Sequence, residues 1–169
     1  MNFSNDAHSH LEERATYLTL TTLFLSVLTA FALRRQKIGA GSFLRPFDFI
    51  LLAFATYRLG RLAAYDKVME PFRQPFTETV QDSSGAGETV VPRGQGARRA
   101  LGGLISCPIC AGTWIAAGLV YGLELAPRLT RTLIMIMSAI GAGELLNAAT
   151  EALEWTGQAE RLEVGAHQK

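Results

Sequence analysis

Charged side chains are absent from two long stretches of the chain, Ala15 to Leu33 (19 residues) and Leu101 to Leu123 (23 residues). At about 1.5 Å per residue, helices of these lengths reach roughly 28–35 Å, the thickness of a bilayer's hydrocarbon core. A helix satisfies its own backbone polar groups, so such runs predict membrane spans. The first run also imitates a secretory signal, with Ala30-Phe31-Ala32 as a small-x-small site. However, Asp6, Glu12 and Glu13 precede it against a single Arg14, and Arg34, Arg35 and Lys37 follow it. That is a stop-transfer flank rather than a basic leader, and a retained span is expected.

Between the runs the pattern is less regular. Phe47 to Leu62 is apolar but carries Asp48, Arg58 and Arg61. It is short for a clean span, and its arginines lie where long side chains reach the headgroups. Asp66 to Glu78 sets Val68, Met69, Phe72 and Phe76 among charges at near-helical spacing, with Pro71 and Pro75 preventing a long helix. An interfacial segment is the expected form. Residues 79–97 are rich in Gly and Ser and predict a flexible loop. Pro108 is suited to the first turn of the later span, with Leu101 to Ser106 as a lead-in. A last helix is expected from about Leu129 past Trp155, with Glu144, Asn147, Glu151 and Glu154 on one face.

The expected fold is all-α: a small helical membrane protein of three to four transmembrane helices with a mostly irregular cytoplasmic loop. Its parts are a loose polar segment 1–14, an extra N-terminal span 15–33, a core membrane domain 47–155 containing the loop 79–97, and a polar tail 156–169. A length of 169 residues leaves room for one domain. The net charge of +1 gives no pull toward nucleic acid, which is not expected as a partner. The expected partners are the lipid bilayer, other membrane proteins or a second copy.

The distribution of Lys and Arg bears on orientation. Four spans with the N-terminus inside place ten basic residues in the cytoplasm and six outside; three spans with the N-terminus outside place 13 and three. Charge favours three spans and apolar length favours four, the arrangement preferred here. Both put the 66–99 segment and the C-terminus in the cytoplasm of a bacterial inner-membrane protein. Both also bring Arg58, Arg61, Cys107, Cys110 and Glu144 near one membrane face.

Candidate chemistry begins with Cys107-Pro108-Ile109-Cys110. Two cysteines exclude a disulfide framework and a self-contained four-thiolate zinc site. Three roles compete: small apolar packing, a thiol–disulfide pair with Cys107 as nucleophile and Cys110 as resolving thiol, and half of a zinc site completed across a homodimer. His8, His10 and His167 lie in the termini and are poor ligands. No cofactor is otherwise indicated. Arg58 and Arg61 share a helical face, and pairing with Glu144 would lower the cost of holding them in an apolar helix. A structural clamp, or arginines holding lipid phosphates at the interface, is preferred over a proton or ion path, because a path needs polar groups at several depths. Gly112, Gly118, Gly122, Gly141 and Gly143 suit close helix packing. Trp114 suits either an interface anchor or a packing role.

Ala55-Thr56-Tyr57-Arg58-Leu59-Gly60-Arg61-Leu62, Asp66, Glu70-Pro71-Phe72-Arg73 and Cys107-Pro108-Ile109-Cys110-Ala111-Gly112-Thr113-Trp114 occur in that order. Together they resemble the domain-of-unknown-function 1360 family of small bacterial and phage membrane proteins, from about Phe47 to Trp155. Family members often carry an aromatic between the cysteines, where this chain has Pro108-Ile109. The resemblance implies a membrane protein and directs attention to Arg58, Arg61, Asp66, Cys107, Cys110, Gly112 and Trp114. It implies no activity or substrate. The leading expectation is a non-enzymatic scaffold or interaction protein, followed by a membrane thiol–disulfide oxidoreductase and a metal-bridged homodimer.

Overall fold

Small residues on one central helix set the packing. In the computed structural model, which describes residues 3–38, 45–82 and 87–167 (side chains 8–36, 45–82 and 87–156), helix α1 spans Phe3–Ile38 and α2 spans Pro46–Tyr65. A 3-10 turn (Lys67–Met69) and a one-turn helix α3 (Glu70–Arg73) follow. Strands β1 (Thr77–Gln81) and β2 (Glu88–Pro92) come next, then α4 (Gly96–Ser106), α5 (Pro108–Leu125) and α6 (Pro127–His167). Helix α2 lies between α5 and α6 and buries Leu52, Ala55, Gly60 and Ala64. Leu52 and Ala55 join Leu119 and Leu123 of α5 and Ile134 of α6 in the core.

Backbones approach closely wherever glycine allows it. A Cβ at Gly60 would stand 2.6 Å from the Pro108 carbonyl oxygen, and one at Gly141 would stand 2.7 Å from that of Phe54. Small residues at contacts are the usual means by which helices pack when lipid supplies no hydrophobic drive between them. The Ser138 hydroxyl adds polar contacts, lying 2.5 Å from the Leu51 carbonyl and 2.6 Å from that of Ile134.

Contacts fix the helix directions. Along α2 and α6, Leu51 meets Ser138, Phe54 meets Gly141 and Arg58 meets Glu144, so the two run parallel. Helix α5 runs against α2. Helix α1 runs with α5, through Phe24 on Trp114, Phe31 on Tyr121 and Arg35 toward Glu124. The start of α1 reaches α4: Gly96 lies against the Glu12 carboxylate, and Tyr17 meets Gly103. The start of α1, the end of α2, the hairpin and the start of α5 therefore share one end of the bundle, called here the hairpin end.

Three helical segments, 8–36, 108–125 and 127–156, are long and apolar enough to cross a membrane. Leu18, Phe49, Leu129 and Met135 are among many large apolar side chains left exposed, as expected of a lipid-facing surface. Helix α2 has the length of a span but carries Asp48, Arg58 and Arg61.

Two expectations need correction. Residues 79–97 are not one flexible loop: β1 and β2 pair antiparallel, Thr77 opposite Pro92 through Gln81 opposite Glu88. Thr and Val flank the Gly/Ser segment on both sides, and their β-branched side chains favour pairing. Pro92 sits at the strand end, where its missing N–H is tolerated. Residues 83–86 lie outside the described ones. The 1–14 segment is also not loose over its described part, since α1 begins at Phe3. The charge-free run 101–123 is divided by Cys107, which adopts an extended conformation (φ −99°, ψ 108°) before Pro108. A residue preceding proline disfavours the helical region, so α4 ends there and α5 begins.

Candidate functional site

The hairpin end gathers the motif residues. Asp66 stands just beyond the C-terminus of α2 and turns its carboxylate back to the Arg58 guanidinium, 2.5 Å away. From α6, Glu144 lies 3.2 Å from Arg58 Nε and 3.7 Å from Arg61 Nε. These are charge contacts; neither Arg58 Nε nor Glu144 Oε2 has a hydrogen-bond partner. The side chain of Arg58 is only 14% exposed, against 31% for Asp66 and 35% for Glu144. Two guanidiniums thus face two carboxylates and the cluster is neutral, as a low-dielectric site demands. Arg61 also lies 5.8 Å from the ring centres of both Tyr57 and Tyr65, within cation–π range.

Arg73 completes this arrangement and was not among the candidates drawn from sequence. It is buried at 4% exposure, and its terminal nitrogens donate to the carbonyls of Asp66 (2.6 Å) and Tyr65 (3.3 Å). The last carbonyls of a helix have no intrahelical partner and carry the negative end of its dipole, so a cation there stabilises α2. Seven residues separate donor and acceptor, and the 3-10 turn with Pro71 folds the chain back across that interval. The same backbone is tied onward. The Thr77 hydroxyl donates to the Arg73 carbonyl (3.1 Å), the Arg93 N–H to Phe76 (2.8 Å), and Arg98 Nε to Pro75 (2.6 Å). Gly102 of α4 lies against the Phe76 carbonyl and Pro92. Residues 66–82 and 87–106, with the first turn of α5, thus form a cap over the end of the bundle, with Val68, Phe72 and Ile109 exposed at its surface.

Gly60 lies between the two arginines in sequence but on another face of α2, against Pro108. The cysteine turn is thereby joined to the arginine helix. Cys107 is the N-cap of α5, and its sulfur accepts the Cys110 N–H at 3.3 Å. The Cys110 thiol also donates to it, with a smaller contribution from the Ile109 N–H, and together these hold the Cys107 thiol below its ordinary value against the opposing effect of burial. Both cysteines are free, Cys107 half-buried and Cys110 exposed. Among the described residues no group of three or more His, Cys, Asp or Glu is placed to hold a metal ion. Cys107 and Cys110 by themselves offer two ligands, half of a tetrahedral site.

The remaining sequence candidates separate. Trp114 packs edge-on against Phe24, ring centres 5.1 Å apart, so it is a contact between α1 and α5. Gly112 makes an ordinary contact with the Thr56 methyl group, Gly122 lies close against Thr130, and Gly118 and Gly143 face nothing within 4 Å. Asn147 donates to Glu151 of its own helix (3.2 Å). Gly60 and Arg73 could have been found by asking what lies on the two faces of the Tyr57–Arg61 turn and what caps the helix that Asp66 ends.

Residues 51–150 match the model of a family described as "Protein of unknown function (DUF1360)". Two relatives come from Bacillus subtilis (strain 168). "Sporulation protein YjcA" is 34% identical over 100 residues, covering 57% of this chain and 85% of the relative. "UPF0713 protein YngL" is 35% identical over 104 residues, covering 60% of this chain and 76% of the relative. No solved structure matches.

Proposed function

This chain belongs to the DUF1360 family, and we propose that it is an interaction scaffold of the bacterial inner membrane, presenting this cap to protein partners on the cytoplasmic side. The observation that carries this reading is the use to which the motif residues are put. Arg58, Arg61, Asp66, Glu144 and Arg73 are occupied with one another or with helix-end carbonyls, and they hold the cap in place. The cap leaves Val68, Phe72 and Ile109 exposed, as a contact surface would. The name of one relative, a sporulation protein, gives a process rather than a reaction.

The cytoplasmic assignment rests on charge. Arg58, Arg61, Lys67, Arg73, Arg93, Arg98 and Arg99 fall at or near the hairpin end, and loops rich in Lys and Arg stay in the cytoplasm. Glu12 beside Gly96 brings the start of α1 to the same end, which supports four crossings by α1, α2, α5 and α6 over three.

Photo-crosslinking residues at Phe72 and Ile109, compared with one at Leu133, test the proposal in intact cells. Discrete protein adducts from the cap positions, unchanged when Cys107 and Cys110 are both serine, are expected. Lipid adducts alone at all three positions would refute the scaffold. A second reading, thiol–disulfide exchange, draws on the lowered Cys107 thiol and the exposed Cys110. It predicts a reversible Cys107–Cys110 disulfide with a defined potential, measured by alkylation in redox buffers.

A further inference from the structure

The strands of the two-stranded hairpin are unequally covered. Residues 78–81 of β1 are exposed, whereas Thr89 to Pro92 of β2 are half-buried, with α4 and α2 beside them. β1 is therefore the outer strand, and the pairing decides what its edge offers. The Arg93 N–H reaches the Phe76 carbonyl and the Asp82 N–H reaches that of Gly87, so Phe76 and Asp82 turn their backbones toward the opposite strand. Bonded and non-bonded pairs alternate in an antiparallel ladder. Glu78 and Val80 thus bond to β2, and Thr79 and Gln81 point their N–H and C=O groups outward. Pro92, which has no N–H, falls opposite Thr77 at a non-bonded position, in agreement with this phase. Among the described residues nothing hydrogen-bonds to the backbone of Thr79 or Gln81, and such an edge is a template for another strand. Against the start of β1 lies an open pocket of about 200 Å³, whose walls include Glu70, Gln74, Glu78, Thr79 and Arg93. Among the described residues, Glu70, Glu78 and Arg93 form no ion pair.

We propose that the outer edge of β1 binds an extended segment of a protein partner as a third strand, with an asparagine or glutamine side chain of that segment in the pocket; this rests on the scaffold reading, in which a protein meets the cap. Backbone bonds to Thr79 and Gln81 supply the pairing, and the pocket supplies the choice of side chain. Both signs of charge line the pocket, so a single charge placed there is attracted by one and repelled by the other. An amide donates to a carboxylate with one end and accepts from the guanidinium with the other. A second copy of this chain fits poorly. Antiparallel self-pairing through Thr79 and Gln81 of both copies sets Glu78 opposite Asp82 twice, and like charges directly opposite destabilise a sheet. Centring the pair on Thr79 instead needs the backbone of Thr77, which is buried at 3% exposure.

The purified full chain in lipid nanodiscs tests the edge with blocked heptapeptides that alternate Thr and Val around a central Gln, Leu, Lys or Glu. Hydrogen exchange of the backbone amides reads the pairing. The Gln peptide is expected to slow exchange at Thr79 and Gln81 and to bind about tenfold more tightly than the others, which leave polar groups of the pocket unpaired. Thr79→Pro removes an outward N–H without touching the ladder and should abolish binding, while the Glu78 and Val80 amides stay protected by β2. Gln81→Pro makes the same test at the second outward position if Thr79→Pro disturbs the hairpin. No slowing with any peptide, equal or tighter binding of the Leu, Lys or Glu peptide, or binding that survives both proline variants overturns the proposal. A concentration-dependent dimer that Thr79→Pro dissociates overturns it in favour of a second copy. The titration does not depend on a partner in cells. Protein adducts from Phe72 in cells with no peptide pairing would therefore strike the edge alone, and peptide pairing without such adducts would strike the scaffold alone.

Discussion

Replacing Gly60 with alanine tests whether the cysteine turn is seated on the arginine helix. The added Cβ would lie 2.6 Å from the Pro108 carbonyl oxygen and 3.8 Å from the Gly112 Cα. Ordinary contact begins near 3.4 Å, so the start of α5 must retreat by about 0.8 Å. The obstructing atom belongs to the backbone of a helix start and cannot rotate away. Overpacking of this kind costs about 1–3 kcal/mol. Alanine also favours a helix over glycine by about 1 kcal/mol, which would mask part of the loss. Gly143→Ala supplies the matched control, because its Cβ meets nothing within 4 Å and only the favourable part remains. The expected difference in stability between the variants is therefore about 1–3 kcal/mol, with Gly143→Ala at or above wild type. Reversible unfolding in mixed micelles, followed by helical circular dichroism, measures it. Cys107 alkylation should quicken in Gly60→Ala as the turn is displaced. Equal stability of the two variants would refute the close seating of α5 on α2.

Four further outcomes are expected. Arg58→Ala leaves Asp66 and Glu144 without their shared cation and should cost about 2–3 kcal/mol, read in the same unfolding assay; partial solvent access to both carboxylates keeps it below the cost of a fully buried pair. Arg73→Gln should free the 66–77 turn and speed tryptic cleavage after Lys67, with Arg73→Lys intermediate because it keeps the charge but not the fork that reaches two carbonyls. Because the Cys107 thiol is held below its ordinary value, its alkylation should reach a plateau at lower pH than a free thiol's. Cys110→Ala removes the thiol donor and should move that midpoint upward, as followed by mass spectrometry across pH. A chain lacking residues 1–44 should keep the ion-pair cluster and lose little stability, since the core cluster of Leu52, Ala55, Leu119, Leu123 and Ile134 contains no α1 residue; loss of helical signal well beyond that of α1 would contradict this.

The helices were legible because their signals are local. Charge-free runs, Pro108 at a helix start and Arg58, Arg61 and Glu144 at one depth all follow from spacing along the chain. The hairpin was not legible. Its strands are five residues each and bracket a Gly/Ser segment whose composition dominates any window drawn around it. What holds it is tertiary: the Phe76 carbonyl receives the Arg93 N–H and has Gly102 beside it. The role of Arg73 was hidden for a related reason. A charged residue in a Pro-rich segment reads as solvent-facing, and only the fold-back after Asp66 delivers it to the end of α2. Among the glycines, sequence could not separate Gly141, which nearly touches the Phe54 carbonyl, from Gly143 two residues later, which faces open space. Spacing identifies a face of a helix but not its occupant.

The Tyr57–Arg61 turn gains its meaning from serving three neighbours at once. Its arginines face α6 and the residue that ends α2, its glycine faces the start of α5, and its tyrosine ring lies near the Arg61 guanidinium. A charge at position 60 or a bulky apolar residue at 58 would each break a different contact, so the motif behaves as a joint rather than as separate residues. A proton or ion path makes a different demand, namely polar groups repeated through the depth of the bundle. Below the Arg58 level, the core shared by α2, α5 and α6 is Leu52, Ala55, Leu119, Leu123 and Ile134, and the polar groups beside it are uncharged: the buried Thr56 hydroxyl and the Ser138 hydroxyl, which is bonded to backbone. The charges therefore end where the apolar core begins, and their effect is to fix the cap to three helix ends.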